Sequence, residues 1–147
     1  MPTLPRTMAQ QVAAAITRFQ TERTGVAPRS VTVVLSDDTL VVTLHDALSP
    51  AEIILSKTSE GANSVREFHR RLFETSVGGL RAEINRITGL SIREAAAEVE
   101  TATGAVIQAF TSGTMVQVFR LDGRISTEDW NSIPPAPNTK STGSGPD

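Results

Sequence analysis

Apolar residues return every three or four positions at Met8, Val12, Ile16 and Phe19, which predicts an amphipathic helix with one buried stripe. Thr7 with Gln10 makes a capping-box pattern at its start, and Gly25-Val26-Ala27-Pro28 stops it. The pattern then shifts to strand-like runs. Val31-Thr32-Val33-Val34-Leu35 and Leu40-Val41-Val42-Thr43-Leu44 are β-branched segments around Ser36-Asp37-Asp38-Thr39, which predicts a hairpin. With Asp37-Asp38 as its two-residue turn, Leu35 faces Leu40, Val33 faces Val42 and Val31 faces Leu44, so one face is wholly apolar.

Ser49-Pro50-Ala51-Glu52 places a capping Ser, a Pro suited to the first helical position and a Glu able to reach back to the cap. A short helix carrying Ile53, Ile54 and Leu55 should begin there. Ser64 and Glu67 suggest a second capping box, after which Val65, Phe68, Leu72, Leu80, Ile84 and Ile87 define a long helix ending at Thr88-Gly89. Gly78-Gly79 are poor helix formers and predict a kink or break within it. Glu94-Ala95-Ala96-Ala97-Glu98 favours helix by propensity, but the loop Ala102-Thr103-Gly104 pairs Val99 with Ile107 and Ala97 with Ala109. That register predicts a second hairpin. Met115 to Leu121 suits a further strand ended by Asp122-Gly123, and Ser126 with Glu128-Asp129 suits a helical turn presenting Trp130 to the core.

The 147 residues suit one domain, and 39% apolar with 20% charged residues describes ordinary globular protein. No run approaches the roughly 20 apolar residues of a spanning helix, and the start lacks a signal-peptide pattern, so a cytoplasmic location is expected. Without cysteine there is no disulfide, thiolate metal site or cysteine nucleophile. The net charge of −2 gives no field that gathers polyanions, so such a partner needs a local patch. Between Gly61 and Arg93 six arginines face three glutamates, a local +3. Arg66, Arg70, Arg71 and Arg81, with Arg86, are therefore the candidate partner- or anion-binding residues, although Glu67 and Glu83 lie at pairing distance along the helix.

Other chemistry is sparse. His45 and His69 have no metal-motif spacing and read as structural or surface residues. Asp37-Asp38 reads as turn chemistry, Glu98 and Glu100 as a solvated strand face, and neither Gly78-Gly79 nor Gly143-Ser144-Gly145 has a phosphate-loop context. No catalytic residue, cofactor or metal site is expected, and the chain is read as not an enzyme.

The run Leu48-Ser49-Pro50-Ala51-Glu52, then Leu55, Lys57-Thr58, Glu60-Gly61, Arg70, Thr88-Gly89, Val99, Thr101, Thr103-Gly104 and Phe110, resembles the MpsC family. The resemblance spans roughly Gln10 to Thr111, with Ser49, Pro50, Glu52, Gly61, Arg70, Gly89, Thr103 and Gly104 as motif positions. Glu98 stands where the family pattern leads us to expect Asp, and Gly78-Gly79 replace what is often a Pro-containing bend. The resemblance implies a small accessory component of a cation-translocating system that generates membrane potential, with membrane partners akin to a proton-pumping dehydrogenase subunit and a protein tied to inorganic-carbon uptake. It transfers no catalytic residue.

The expected fold class is α+β: two antiparallel β-hairpins forming one sheet, packed by an N-terminal helix and a long central helix, in the order α-ββ-αα-ββ with a further strand. Residues 1–6 are expected to be a flexible N-terminus, 7–111 the MpsC-like domain, 112–133 an extension with the extra strand and helical turn, and 134–147 a disordered Pro/Ser/Gly tail. The expected function is a non-catalytic accessory or regulatory protein that serves a membrane ion or inorganic-carbon transport system through a membrane transport subunit. It would sit peripherally through that partner, without inserting. A nucleic-acid- or anion-binding regulator using the Arg-rich helix is the alternative. The second face of the first hairpin shows Val34 and Val41, which predicts a homodimer unless Met115 to Leu121 and Trp130 cover it.

Overall fold

The computed structural model of the chain describes residues 6–96 and 114–133. Helix α1, Met8–Thr24, starts as its capping box predicts: the Thr7 hydroxyl accepts from the Gln10 N–H at 3.1 Å and the Gln10 side chain accepts from the Thr7 N–H at 2.9 Å. It stops at Gly25, whose φ of 78° is the left-handed conformation glycine adopts without cost. Strands β1, Ser30–Ser36, and β2, Thr39–His45, pair antiparallel in the expected register, with Leu35 opposite Leu40, Val33 opposite Val42 and Val31 opposite Leu44. Asp37 takes the positive φ of 62° that this turn requires.

Helix α2, Pro50–Leu55, is followed by α3, Ser59–Thr88. Two expectations are corrected on α3. It begins at Ser59 and not at Ser64, because the Thr58 hydroxyl caps it by accepting from the Gly61 N–H at 3.0 Å. The backbone of α2 runs so close that a Cβ on Gly61 would lie 1.8 Å from the Leu55 carbonyl oxygen. Only glycine fits there. Nor do Gly78 and Gly79 break the helix, which continues for 30 residues to its glycine cap at Gly89. The Phe19 ring of α1 lies where a Gly79 Cβ would be, 2.8 Å away, so the missing side chain admits the neighbouring helix. Contact with α1 along this face offsets the weak local propensity.

Strand β3, Ile92–Ala96, pairs antiparallel with β4, Met115–Leu121, with a bulge between Ile92 and Glu94, and β4 pairs on its other side with β2. The result is one four-stranded antiparallel sheet in the order β1-β2-β4-β3, so the fold is α+β in the expected order. Helix α4, Thr127–Asn131, is capped by Ser126 and buries Trp130. The inner face of the sheet carries Leu40, Val42, Leu44, Met115, Phe119 and Leu121, which pack with Val12 and Ile16 of α1, Leu80 and Ile84 of α3, and Trp130 of α4. The expected Ala102-Thr103-Gly104 loop with its Val99–Ile107 and Ala97–Ala109 pairs, Glu98, Glu100 and the tail 134–147 lie outside the described residues.

Candidate functional site

The buried face of α3 runs through Gly61, Ala62, Val65, His69, Phe73, Ser76, Leu80, Ile84 and Ile87, so two of its nine positions, His69 and Ser76, are polar. His69 is 4% exposed, and its Nε2 lies 2.7 Å from Glu52 Oε2. The other oxygen of Glu52 accepts from the Ser49 N–H at 2.9 Å, while the Ser49 hydroxyl accepts from the Glu52 N–H at 3.2 Å. One carboxylate therefore closes the capping box of α2 and ties that helix to α3. Burial pushes the Glu52 carboxyl up, but the Ser49 N–H and the His69 hydrogen bond and charge outweigh it and hold the group below its ordinary value. An ionised Glu52 makes His69 Nε2 the donor of this bond. The cap was legible in the Ser49–Glu52 spacing; the link to His69 was not. A histidine at a helical interval from Val65 and Phe73 was the signal that a buried polar partner had to exist.

Above this link the surface is apolar. Ile53, Ile54, Leu55 and Phe68 are 39%, 65%, 50% and 49% exposed, an unusual concentration on so short a stretch. Phe68 meets the His69 ring edge-on with centroids 5.3 Å apart. Beside them a groove of about 330 Å³ is lined by Thr24, Ser49, Glu52, Leu55, Ser64, Val65 and Phe68. The short α2 thus presents its apolar residues outward while its cap residues hold it down.

The candidate arginines do not converge on one site. Arg66 donates to Asn63 Oδ1 at 2.6 Å, Arg70 pairs with Glu67 and with Glu74, and Arg71 reaches Glu67 at 3.1 Å. Burial pushes the Glu67 carboxyl up, and Arg70 and Arg71 more than reverse this, so it lies below its ordinary value. Arg81 is structural: its Nη1 donates to the Ile92 carbonyl at 2.7 Å and ties β3 to α3. Arg86 pairs with Glu83 at 2.6 Å.

Elsewhere the turn carboxylates Asp37 and Asp38 face Arg124 at 2.9 Å and Arg120 at 3.5 Å, and His45 lies 3.3 Å from the Thr32 hydroxyl. Among the described residues no three His, Asp or Glu side chains gather as a metal site, and no helix is long and apolar enough to cross a membrane. Of the motif positions, Ser49, Pro50 and Glu52 build the α2 cap, Gly61 the close approach to Leu55 and Gly89 the left-handed stop of α3, while Thr103 and Gly104 lie outside the described residues.

The family model described as the Na+-translocating membrane potential-generating system (MpsC) matches residues 5–113. The chain belongs to the MpsC family. A relative in Bacillus subtilis (strain 168), named Uncharacterized protein YbcI, is 26% identical over 100 residues, covering 68% of this chain and 81% of its own. No solved structure matches the chain. MpsC membership links the chain to a membrane potential-generating system, and within it the Ser49–Glu52 turn is the motif whose geometry reaches furthest, since it fixes α2, engages His69 and sets out the apolar ridge.

Proposed function

We propose that this chain is a non-catalytic accessory subunit of a membrane potential-generating system, peripheral to the membrane, which docks on a membrane transport subunit through the α2–α3 ridge. The carrying observation is the ridge itself, four large apolar side chains between 39% and 65% exposed around a helix that a part-buried Glu52–His69 link holds in place. A side chain left in water at this density is explained by a protein partner that removes it from water. The family description supplies a multi-component system as the place to find that partner. The use of Glu52 for capping and for orienting a buried ring supports a structural duty over acid–base work.

Co-expression with candidate membrane transport subunits from the same organism tests this reading. The wild-type chain co-purifies with them, and Ile54→Asp with Phe68→Asp abolishes the association while the circular dichroism stays unchanged. A wild-type chain that does not co-purify overturns it. The anion-binding alternative is less favoured because Asn63, Glu67 and Glu74 already occupy guanidinium groups of Arg66, Arg70 and Arg71. We further propose that the chain is a homodimer, joined through the sheet face that carries Val34.

A further inference from the structure

Five polar residues are buried among the described ones, and four of them, Gln20, His69, Ser76 and Gln117, line a single cavity of about 20 Å³ between α1, α3 and β4. Gln117 is 4% exposed, and its Oε1 has no donor among the described residues. A buried amide carbonyl left without a donor is destabilising, because the hydration it lost on burial goes uncompensated. Among the described residues the Gln20 amide finds only the Met115 sulfur, at 3.9 Å. Ser76 donates its hydroxyl hydrogen to the Leu72 carbonyl at 2.8 Å and so keeps oxygen lone pairs for a further donor.

We propose that this cavity is a built site for one internal water molecule, which donates to Gln117 Oε1 and bridges α1, α3 and β4. The size selects the ligand: about 10–15 Å³ of such space holds one water, and an apolar cavity would stay dry whereas this one is polar. The chemistry selects it too. A water both donates and accepts, which the carbonyl of Gln117, the amide of Gln20 and the hydroxyl of Ser76 together ask for. A sodium ion would need five or six oxygens, whereas the lining includes an amide nitrogen, an imidazole and the Arg23 side chain. Through His69 the water continues the Glu52 link inward, so that the cap of α2, the long helix and the central strand share one hydrogen-bonded path.

The test uses the full chain and oxygen-17 magnetic relaxation dispersion, which counts long-lived internal waters. Gln117→Met should lower the dispersion amplitude by one water molecule and lower the melting temperature, because Gln20 and Ser76 lose their bridge. Ser76→Ala is the second variant should the first not fold, with the same two expected losses. An unchanged amplitude, or a Gln117→Met chain that melts higher than wild type as a dry cavity requires, overturns the proposal. A melting temperature raised by sodium chloride but not by potassium chloride, and losing that difference in Gln117→Met, overturns it in favour of an ion.

Discussion

Glu52 is a carboxylate with both oxygens engaged, one by the cap N–H and one by a ring seventeen residues on, and this gives it a measurable signature. Burial alone would raise its pKa, but the Ser49 N–H and His69 bring it below the ordinary glutamate value of 4.5. Because folding lowers this pKa, the ionised group adds stability that is fully present above the unfolded value and is lost as pH falls through the folded one. Glu52→Gln keeps an acceptor for the cap but surrenders the charged bond to His69, a change worth about 1.5–3 kcal/mol at neutral pH. Urea unfolding of the two proteins should therefore differ near neutrality and converge in acid below the carboxylate range. A difference that stays constant between those conditions would remove the link from the account of stability. Replacing His69 by Gln in both backgrounds isolates the pair: the two substitutions together should cost less than their separate costs combined.

At the level of elements, what is local in sequence is legible and what depends on a distant neighbour is not. The β1–β2 register follows from seven residues on each side of a two-residue turn, and the caps at Thr7, Ser49 and Ser126 follow from spacings of three. The unbroken α3 could not be read that way, because the neighbour that makes use of Gly79 is Phe19, sixty residues earlier. Likewise the pairing of His69 with Glu52, and the burial of Gln117 beside Gln20 and Ser76, become visible only when the elements stand together. The two glycines give a paired prediction. A Cβ at Gly78 meets nothing within 4 Å, so Gly78→Ala gains helix propensity freely, about 1 kcal/mol. A Cβ at Gly79 meets the Phe19 ring at 2.8 Å, and that ring also carries Arg18 at 5.4 Å from its centroid. Its displacement cancels the same gain. Thermal melts should rank Gly78→Ala above wild type and Gly79→Ala below Gly78→Ala. Equal stabilisation by both would show that Phe19 does not hold α1 against α3.

On the scale of the whole molecule the sheet has two unlike faces. One is filled by α1 and α3, with Trp130 of α4 joining the same core. Neither β4 nor Trp130 provides the intramolecular cover considered from sequence, since β4 is itself a strand of the sheet and Trp130 lies on the helix side. On the opposite face Val34 stands across from Val41, and Val41 across from Val118, so a β-branched row crosses three strands. Val34 is 53% exposed. Stacking this row on its counterpart in a second copy about a two-fold axis brings valine against valine and removes both from water. A lysine at the centre of such a contact sets like charges against each other and desolvates them, while in an isolated chain it points into solvent at little cost. Wild-type protein at high micromolar concentration is therefore expected to sediment as a dimer with a melting temperature that rises with concentration, and Val34→Lys as a folded monomer whose melting temperature does not. A wild-type chain that sediments as a monomer under those conditions defeats the dimer and leaves the valine row as ordinary solvent-facing sheet.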